Sequence, residues 1–286
     1  MISPDWSFLE TNGLTMKVLA WDTSSKTGAL VALEGDRNVQ VPRLVTELTL
    51  NVESTHSERL LWGIHQTLES ARWKIEDVDI FGVGVGPGSF TGLRIGITTA
   101  RTLAHTLRKP LVGVSSLAAL ARPIARFLSH SENSASTHLV AVTDACKGEL
   151  FSLWGKASAV TRCAVLTQAN LWDAGVQEKV LSPQALADAL VEDLKKDPLS
   201  RWVAVGEGRQ RYAQAWDSLP ADREIPVSGL YSEFVQGRYL GQLVWEAVQA
   251  SQTPEDPLEI HPCYLRASDA ELKLKAGLLK PGPTRG

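Results

Sequence analysis

The chain has 286 residues, of which 44% are hydrophobic and 21% charged. These proportions fit one large or two small globular domains and exclude a disordered, collagen-like or coiled-coil chain. With 29 basic and 32 acidic side chains the formal net charge is -3, so no overall positive field draws the protein onto nucleic acid, and any RNA contact has to be local or shared with partners. Cys146, Cys163 and Cys263 are widely spaced and form no CxxC pair, which reads as reduced thiols of a cytoplasmic protein. No apolar run approaches the length of about 18 residues that a membrane span needs, and the N-terminal stretch lacks the basic and apolar regions of a signal peptide.

The patterned sequence begins at Met16, and residues 1–15 are expected to be an unpacked extension. Lys17–Asp22 reads as a buried strand, the small polar residues TSSKTG turn the chain, and Ala29–Leu33 returns, which makes a hairpin with Asp22 at its mouth. Residues 39–50 alternate as a third strand. Ser57–Ser70 places Leu60, Leu61, Ile64 and Leu68 on one helical face. A strand over Val78–Val85 runs into Gly86-Pro87-Gly88-Ser89-Phe90 and a helix over Thr91–Leu107. Leu111–Val114 is a short strand, and Ser115 or Ser116 caps an alanine-rich helix running towards Phe127. The serine-rich stretch 129–137 reads as a linker.

Beyond it the opening pattern recurs. Val140-Ala141-Val142-Thr143-Asp144 matches Val18-Leu19-Ala20-Trp21-Asp22, each at the start of its half, which points to duplication. A helix after Ser182-Pro183, a strand Trp202–Val205 and a long helix from Tyr231 to Ala250 follow. The expected organisation is an extension (1–15), a first lobe (16–128), a linker (129–137), a second, degenerate lobe (138–268) whose helix 231–250 packs back on the first, and a tail (269–286).

Several residues could carry chemistry. The glycines before the helix at 91 suggest a phosphate loop, yet no Gly-Lys-Ser/Thr follows, and Ile80–Ser131 contains no Asp or Glu to bind a ribose, so neither a P-loop nor a Rossmann site can be written. Asp22 and Asp144 either hold a hydrated magnesium in a cleft between the halves or organise their own turns. The six histidines include no pair three, four or five residues apart, which argues against a simple zinc site. Gly92, Gly96, Ala100 and Ala104 recur every four residues and make one helix face nearly free of side chains, suited to close approach by the protein's own elements or by a partner's helix. Arg94, Arg101 and Arg108 form an adjoining stripe.

The segments MKVLAWDTSSKTGALVAL, HSERLL, VGVGPGSFTGLRIGITTARTLA, PLVGVSSLAALA, VTDACKGELF and PCYLR together resemble the TsaB (YeaZ-like) family of bacterial tRNA threonylcarbamoyladenosine synthesis, over roughly residues 16–266. The resemblance implies an α/β, actin-like or Hsp70-like ATPase fold of two RNase H-like lobes with mixed sheets flanked by helices. It implies a scaffold without intrinsic activity that dimerises with TsaD, the threonylcarbamoyl transferase, and with which a TsaE-like ATPase joins. tRNA is then met through the complex, a homodimer forms when the chain is alone, ATP and magnesium belong to the assembled complex, and no cofactor is intrinsic. The interface expected on this basis comprises Ser57, Leu60, Leu61, Ile64, Gly92, Arg94, Gly96, Ala100 and Ala104. A vestigial nucleotide or phosphate site comprises Asp22, Thr23, Ser24, Gly86, Gly88, Ser89 and Asp144. Where a TsaD-like sequence has its metal-binding histidine pair, this chain has Ser116 and Leu120, and leucine has no donor atom. The alternatives are an autonomous ATPase or kinase using Asp22 and Asp144, and a metallopeptidase of the glycoprotease family.

Overall fold

Thr15–Asp22 forms the first strand (β1), paired antiparallel with Thr27–Asp36 (β2), which pairs antiparallel with Arg43–Asn51 (β3). The structure, a computed structural model, describes residues 15–51, 56–129, 136–162, 175–227, 233–250 and 256–266. Residues 1–14 of the expected extension, most of the linker, Cys163 and the tail lie outside these. Thr15 itself belongs to β1, where it pairs with Asp36, so the strand claims the last residue assigned to the extension.

Helix α1 (His56–Ala71) leads to Ile80–Gly84 (β4), which lies parallel to β1; helix α2 (Phe90–Leu107) leads to Leu111–Val114 (β5), parallel to β4. The five-stranded sheet has the order β3-β2-β1-β4-β5. Central β1 is covered on both faces, which is why it reads as a nearly unbroken apolar run. Leu19 and Trp21 face α1 and α2, while Val18 and Ala20 face the other way. Burying a large apolar side chain of this kind stabilises by about 2–3 kcal/mol.

Helix α3 (Ser116–Ser129) follows, and of its two candidate caps Ser115 acts: its Oγ accepts from the Ala118 N–H at 3.2 Å. The second sheet is built from Thr137–Asp144 (β6), Leu150–Lys156 (β7), Gln177–Leu181 (β8) and Arg201–Val205 (β9), in the order β8-β7-β6-β9. Here β6 has an antiparallel neighbour, β7, and a parallel one, β9, as β1 does with β2 and β4. The matched pentapeptides therefore occupy equivalent strands. Short helix α4 (Ala157–Arg162) continues from β7. Helix α5 (Pro183–Lys196), capped by Ser182, covers one face of the second sheet, and α6 (Glu207–Arg211) follows β9.

Helix α7 spans Gly237–Ala250 and starts six residues later than expected. It packs across β1, β2 and β5 and against α3, and Trp245 Nε1–H donates to the Val39 carbonyl at 3.1 Å. The layers are thus α1/α2, first sheet, α3/α7, second sheet, α5, with one apolar core running from the first sheet through α3 and α7 into the second. Residues 256–266 then cross back as a strap. Arg101 donates to the Leu258 carbonyl at 2.6 Å, the Cys263 N–H to the Val85 carbonyl at 2.8 Å, and Arg266 pairs with Glu149 at 3.5 Å. Among the described residues no helix is long and apolar enough to cross a membrane.

Candidate functional site

Asp22 closes β1 fully buried. Its Oδ1 accepts from the Ser24 N–H at 2.9 Å and the Ser24 hydroxyl at 2.6 Å, and its Oδ2 accepts from the Ser116 hydroxyl. Ser116 Oγ in turn accepts from the Gly86 N–H at 3.1 Å. Three donors thus engage both carboxylate oxygens. A hydrated magnesium needs oxygens that face solvent, so the residues around Asp22 do not fit one. This is the turn-organising role, extended by a tie between β1, the glycine loop and α3. Ser116 is a partner of Asp22, and Leu120 is buried in the core that both sheets share.

The glycine loop is drawn into the same joint. The Ser89 N–H donates to the Ser24 carbonyl at 2.6 Å, and a Cβ on Gly88 would stand 2.3 Å from that oxygen. Ser89 Oγ caps α2 by accepting from the Gly92 N–H at 3.2 Å, and the Thr23 hydroxyl donates to the Gly92 carbonyl at 2.7 Å. Glycine is needed at 88 because two backbones touch there. Asp22, Thr23 and Gly86 lie in a packing joint between a hairpin turn and a helix start, while Ser24, Gly88, Ser89 and Asp144 of the expected phosphate site line an open cleft.

The small-residue row is corrected. Gly92 and Gly96 are buried against the turn after β1, and Ala100 and Ala104 are buried in the core between α2 and the first sheet. A Cβ on Gly96 would come within 2.2 Å of Thr23 Oγ1, and Trp21 Nε1–H donates to the Gly96 carbonyl at 3.1 Å. Leu60 and Ile64 also point inward. Arg94 is exposed but lies over the Phe90 ring at 4.0 Å and donates to Tyr264 Oη at 3.1 Å, so it faces the strap. The side chain of Ser57 is outside the described residues. Leu61 (61% exposed) and Trp62 (49%) are turned outward on α1, and Thr98 and Thr102 are exposed on α2. Leu61 belongs to the expected interface set, and Trp62, next to it in sequence and also exposed, does not.

Asp144 differs from Asp22. Its Oδ1 accepts from the Cys146 N–H at 3.0 Å and the Tyr212 hydroxyl at 2.9 Å, and its Oδ2 pairs with Arg211 at 3.1 Å. It lines a cleft of about 870 Å³ bounded by the turn at Ser24–Lys26, the loop at Gly88–Phe90, the β6–β7 turn, α6 and the strap; Asp22 does not reach this cleft. The two aspartates are therefore not brought together on one cavity wall.

Glu178 on β8 was not singled out, because QEKVL reads as an ordinary polar edge strand. It is 4% exposed, and burial pushes its carboxyl up to about 7, opposed by the Ser115 hydroxyl, which donates to it at 2.6 Å. It joins the second sheet to the end of β5, beside Cys263 on the strap at 4.0 Å. Among the described residues no group of three or more His, Cys, Asp or Glu is arranged to hold a metal ion.

The family model for TsaD, tRNA N6-adenosine threonylcarbamoyltransferase, matches residues 50–193, just over half of the chain. The TsaB protein of Escherichia coli K12, a tRNA threonylcarbamoyladenosine biosynthesis protein, is 29% identical over 209 residues, covering 71% of this chain and 75% of the relative. The chain belongs to the TsaB family. TsaB of Haemophilus influenzae is 28% identical over 256 residues, 88% of this chain and 94% of the relative. The solved structure of YeaZ from Pseudomonas aeruginosa shares the fold, with a TM-score of 0.62 and 23% identity over 87% of this chain and 99% of that one. Two sheets flanked by helices are the observed arrangement, and within it the TsaB-family chain ties off its first aspartate.

Proposed function

We propose that the chain takes part in tRNA threonylcarbamoyladenosine synthesis as a non-catalytic subunit that docks on a TsaD-type transferase through the outward faces of α1 and α2. The observation that carries this reading is the fate of the fold's chemical positions: Asp22 is sealed by Ser24 and Ser116, while Leu61 and Trp62 stand exposed on a neighbouring helix. Apolar side chains exposed on a helix surface support a protein contact. A TsaE-like ATPase joins this pair, ATP and magnesium act in the assembled complex, the chain self-associates through the same face when alone, and tRNA is the substrate of the whole. The autonomous ATPase reading loses support from Asp22, and the metallopeptidase reading from Ser116 and Leu120.

Co-expression with the TsaD-type protein of the same organism tests the proposal. The expected result is a heterodimer on size exclusion, tRNA modification that requires both chains, and no ATP hydrolysis by this chain alone. Trp62→Glu with Leu61→Glu is expected to abolish the heterodimer while leaving stability within about 0.5 kcal/mol of the parent, as for exposed positions generally. Magnesium-dependent ATP turnover by the isolated chain would overturn the reading.

A further inference from the structure

The cleft that contains Asp144 is walled by cations from separate elements: Lys26 on the β1–β2 turn, Arg94 on α2, Lys147 on the β6–β7 turn, Arg211 on α6 and Arg266 on the strap. Two acids, Asp144 and Glu207, share the lining. Arg211 is paired with Asp144 and Arg266 with Glu149, whereas Arg94 is held by neutral partners, the Phe90 ring and Tyr264 Oη. Phe90 and Tyr264 stack with centroids 4.9 Å apart and planes 28° from parallel, and Tyr264 is 43% exposed. In a chain of net charge -3 this is a local concentration of positive charge beside an aromatic platform.

A compact nucleoside triphosphate is a poor match. It needs a cluster of free amides and a metal-bearing carboxylate at one point, and here the Ser89 amide is spent on Ser24 and Asp22 is enclosed. Charges spread over the walls of an open cleft, with a ring to stack on, match successive phosphates and a base of one strand. We propose that this cleft binds a segment of single-stranded RNA, without a metal ion. The proposal rests on the reading above for the identity of that RNA as tRNA, but the contact is made by this chain itself.

The test is fluorescence anisotropy of the full chain with a labelled single-stranded RNA of about ten nucleotides, at low salt and in EDTA. Binding is expected, with log K falling against log salt at a slope of about -2 to -3, as for three or four phosphates at about 0.7 each. Lys26→Ala with Lys147→Ala, both exposed and outside the core, is expected to weaken binding about tenfold and flatten the slope. Tyr264→Ala should weaken it about tenfold, and Tyr264→Phe, which keeps the ring, less than threefold. Absence of binding, affinity unchanged in the lysine pair and in Tyr264→Ala, or binding that needs magnesium and is displaced by ATP would overturn the inference. Heterodimer formation by the same variants separates the two proposals. If RNA affinity is unaffected while the heterodimer forms, the cleft assignment falls and the docking proposal stands; if RNA binds but no heterodimer forms with the parent chain, the reverse holds.

Discussion

Asp22 and Asp144 end equivalent strands of two similar sheets, and their surroundings have diverged. Asp22 is enclosed by its own turn and by Ser116 from α3, whereas Asp144 opens onto a cleft and is matched by Arg211 and Tyr212. The first position has become a structural joint on which α2 and α3 are hung. The second remains a surface feature. A repeated motif thus carries no fixed role; the donors that reach it decide whether it holds the fold or faces a ligand.

The helix that leans on the first joint tolerates substitution least. Gly96→Leu, and Ala100→Arg likewise, are expected to destabilise the isolated chain by more than about 3 kcal/mol or to prevent folding, because each forces bulk or a charge into a fully packed contact. Urea denaturation checks this, and a folded variant that merely loses its partner would restore the outward assignment of that face. Next, Asp22→Asn is expected to cost about 2–4 kcal/mol, since its amide group would confront hydroxyl and N–H donors in a buried site. Asp144→Asn, at the equivalent place, should cost about 1 kcal/mol, the worth of one partly exposed ion pair. Neither change should lower tRNA modification by the reconstituted complex more than about tenfold once folding is controlled for.

Much of the fold was legible. The strands β1, β2 and β6 follow from short apolar runs bounded by turns and the helices α1 and α2 from helical spacing, because those patterns record burial directly. The facing of α2 was not. A row of glycines and alanines signals close approach without saying to what, and the answer lies in Thr23 and Trp21, seventy residues away in sequence. The strap was equally hidden, since PCYLR has no periodicity and gains its place only by touching α2, β4 and the β6–β7 turn. Glu178 is a third case: its burial is made by Ser115 and the strap, and nothing in its own strand announces it.

Glu178 makes stability depend on pH at the seam where the two sheets meet. In the unfolded chain its carboxyl ionises near 4.5 and in the folded chain near 7. Between those values the unfolded chain gives up a proton that the folded chain keeps, so this contribution is complete below 4.5 and is lost as pH rises through 7. The span amounts to about 3 kcal/mol. Unfolding free energies at pH 5 and pH 8 should converge in Glu178→Gln, and an unchanged difference would place the titration elsewhere. His138 on β6 runs the other way: burial foremost, with Lys156 next, lowers its pKa, and neither ring nitrogen has a hydrogen-bond partner among the described residues. Its contribution is present above the ordinary value of 6.5 and lost as pH falls below it. His138→Leu is expected to raise stability by about 1 kcal/mol, more at pH 5 than at pH 8, read from the same titrations.

The packing of α7 across β1 and β2 has a consequence for synthesis. The first sheet is translated early, yet the apolar face formed by Val18, Ala20, Val31 and Leu33 is covered by Leu240, Leu243, Val244 and Trp245. At about 5–20 residues per second, that face waits tens of seconds on the ribosome for its cover. A nascent chain arrested short of residue 237 therefore presents an uncovered face of a mixed sheet, the kind of surface that chaperones hold. Protease resistance of the first sheet should appear as a single late step, when residue 250 clears the exit tunnel, and not soon after residue 114.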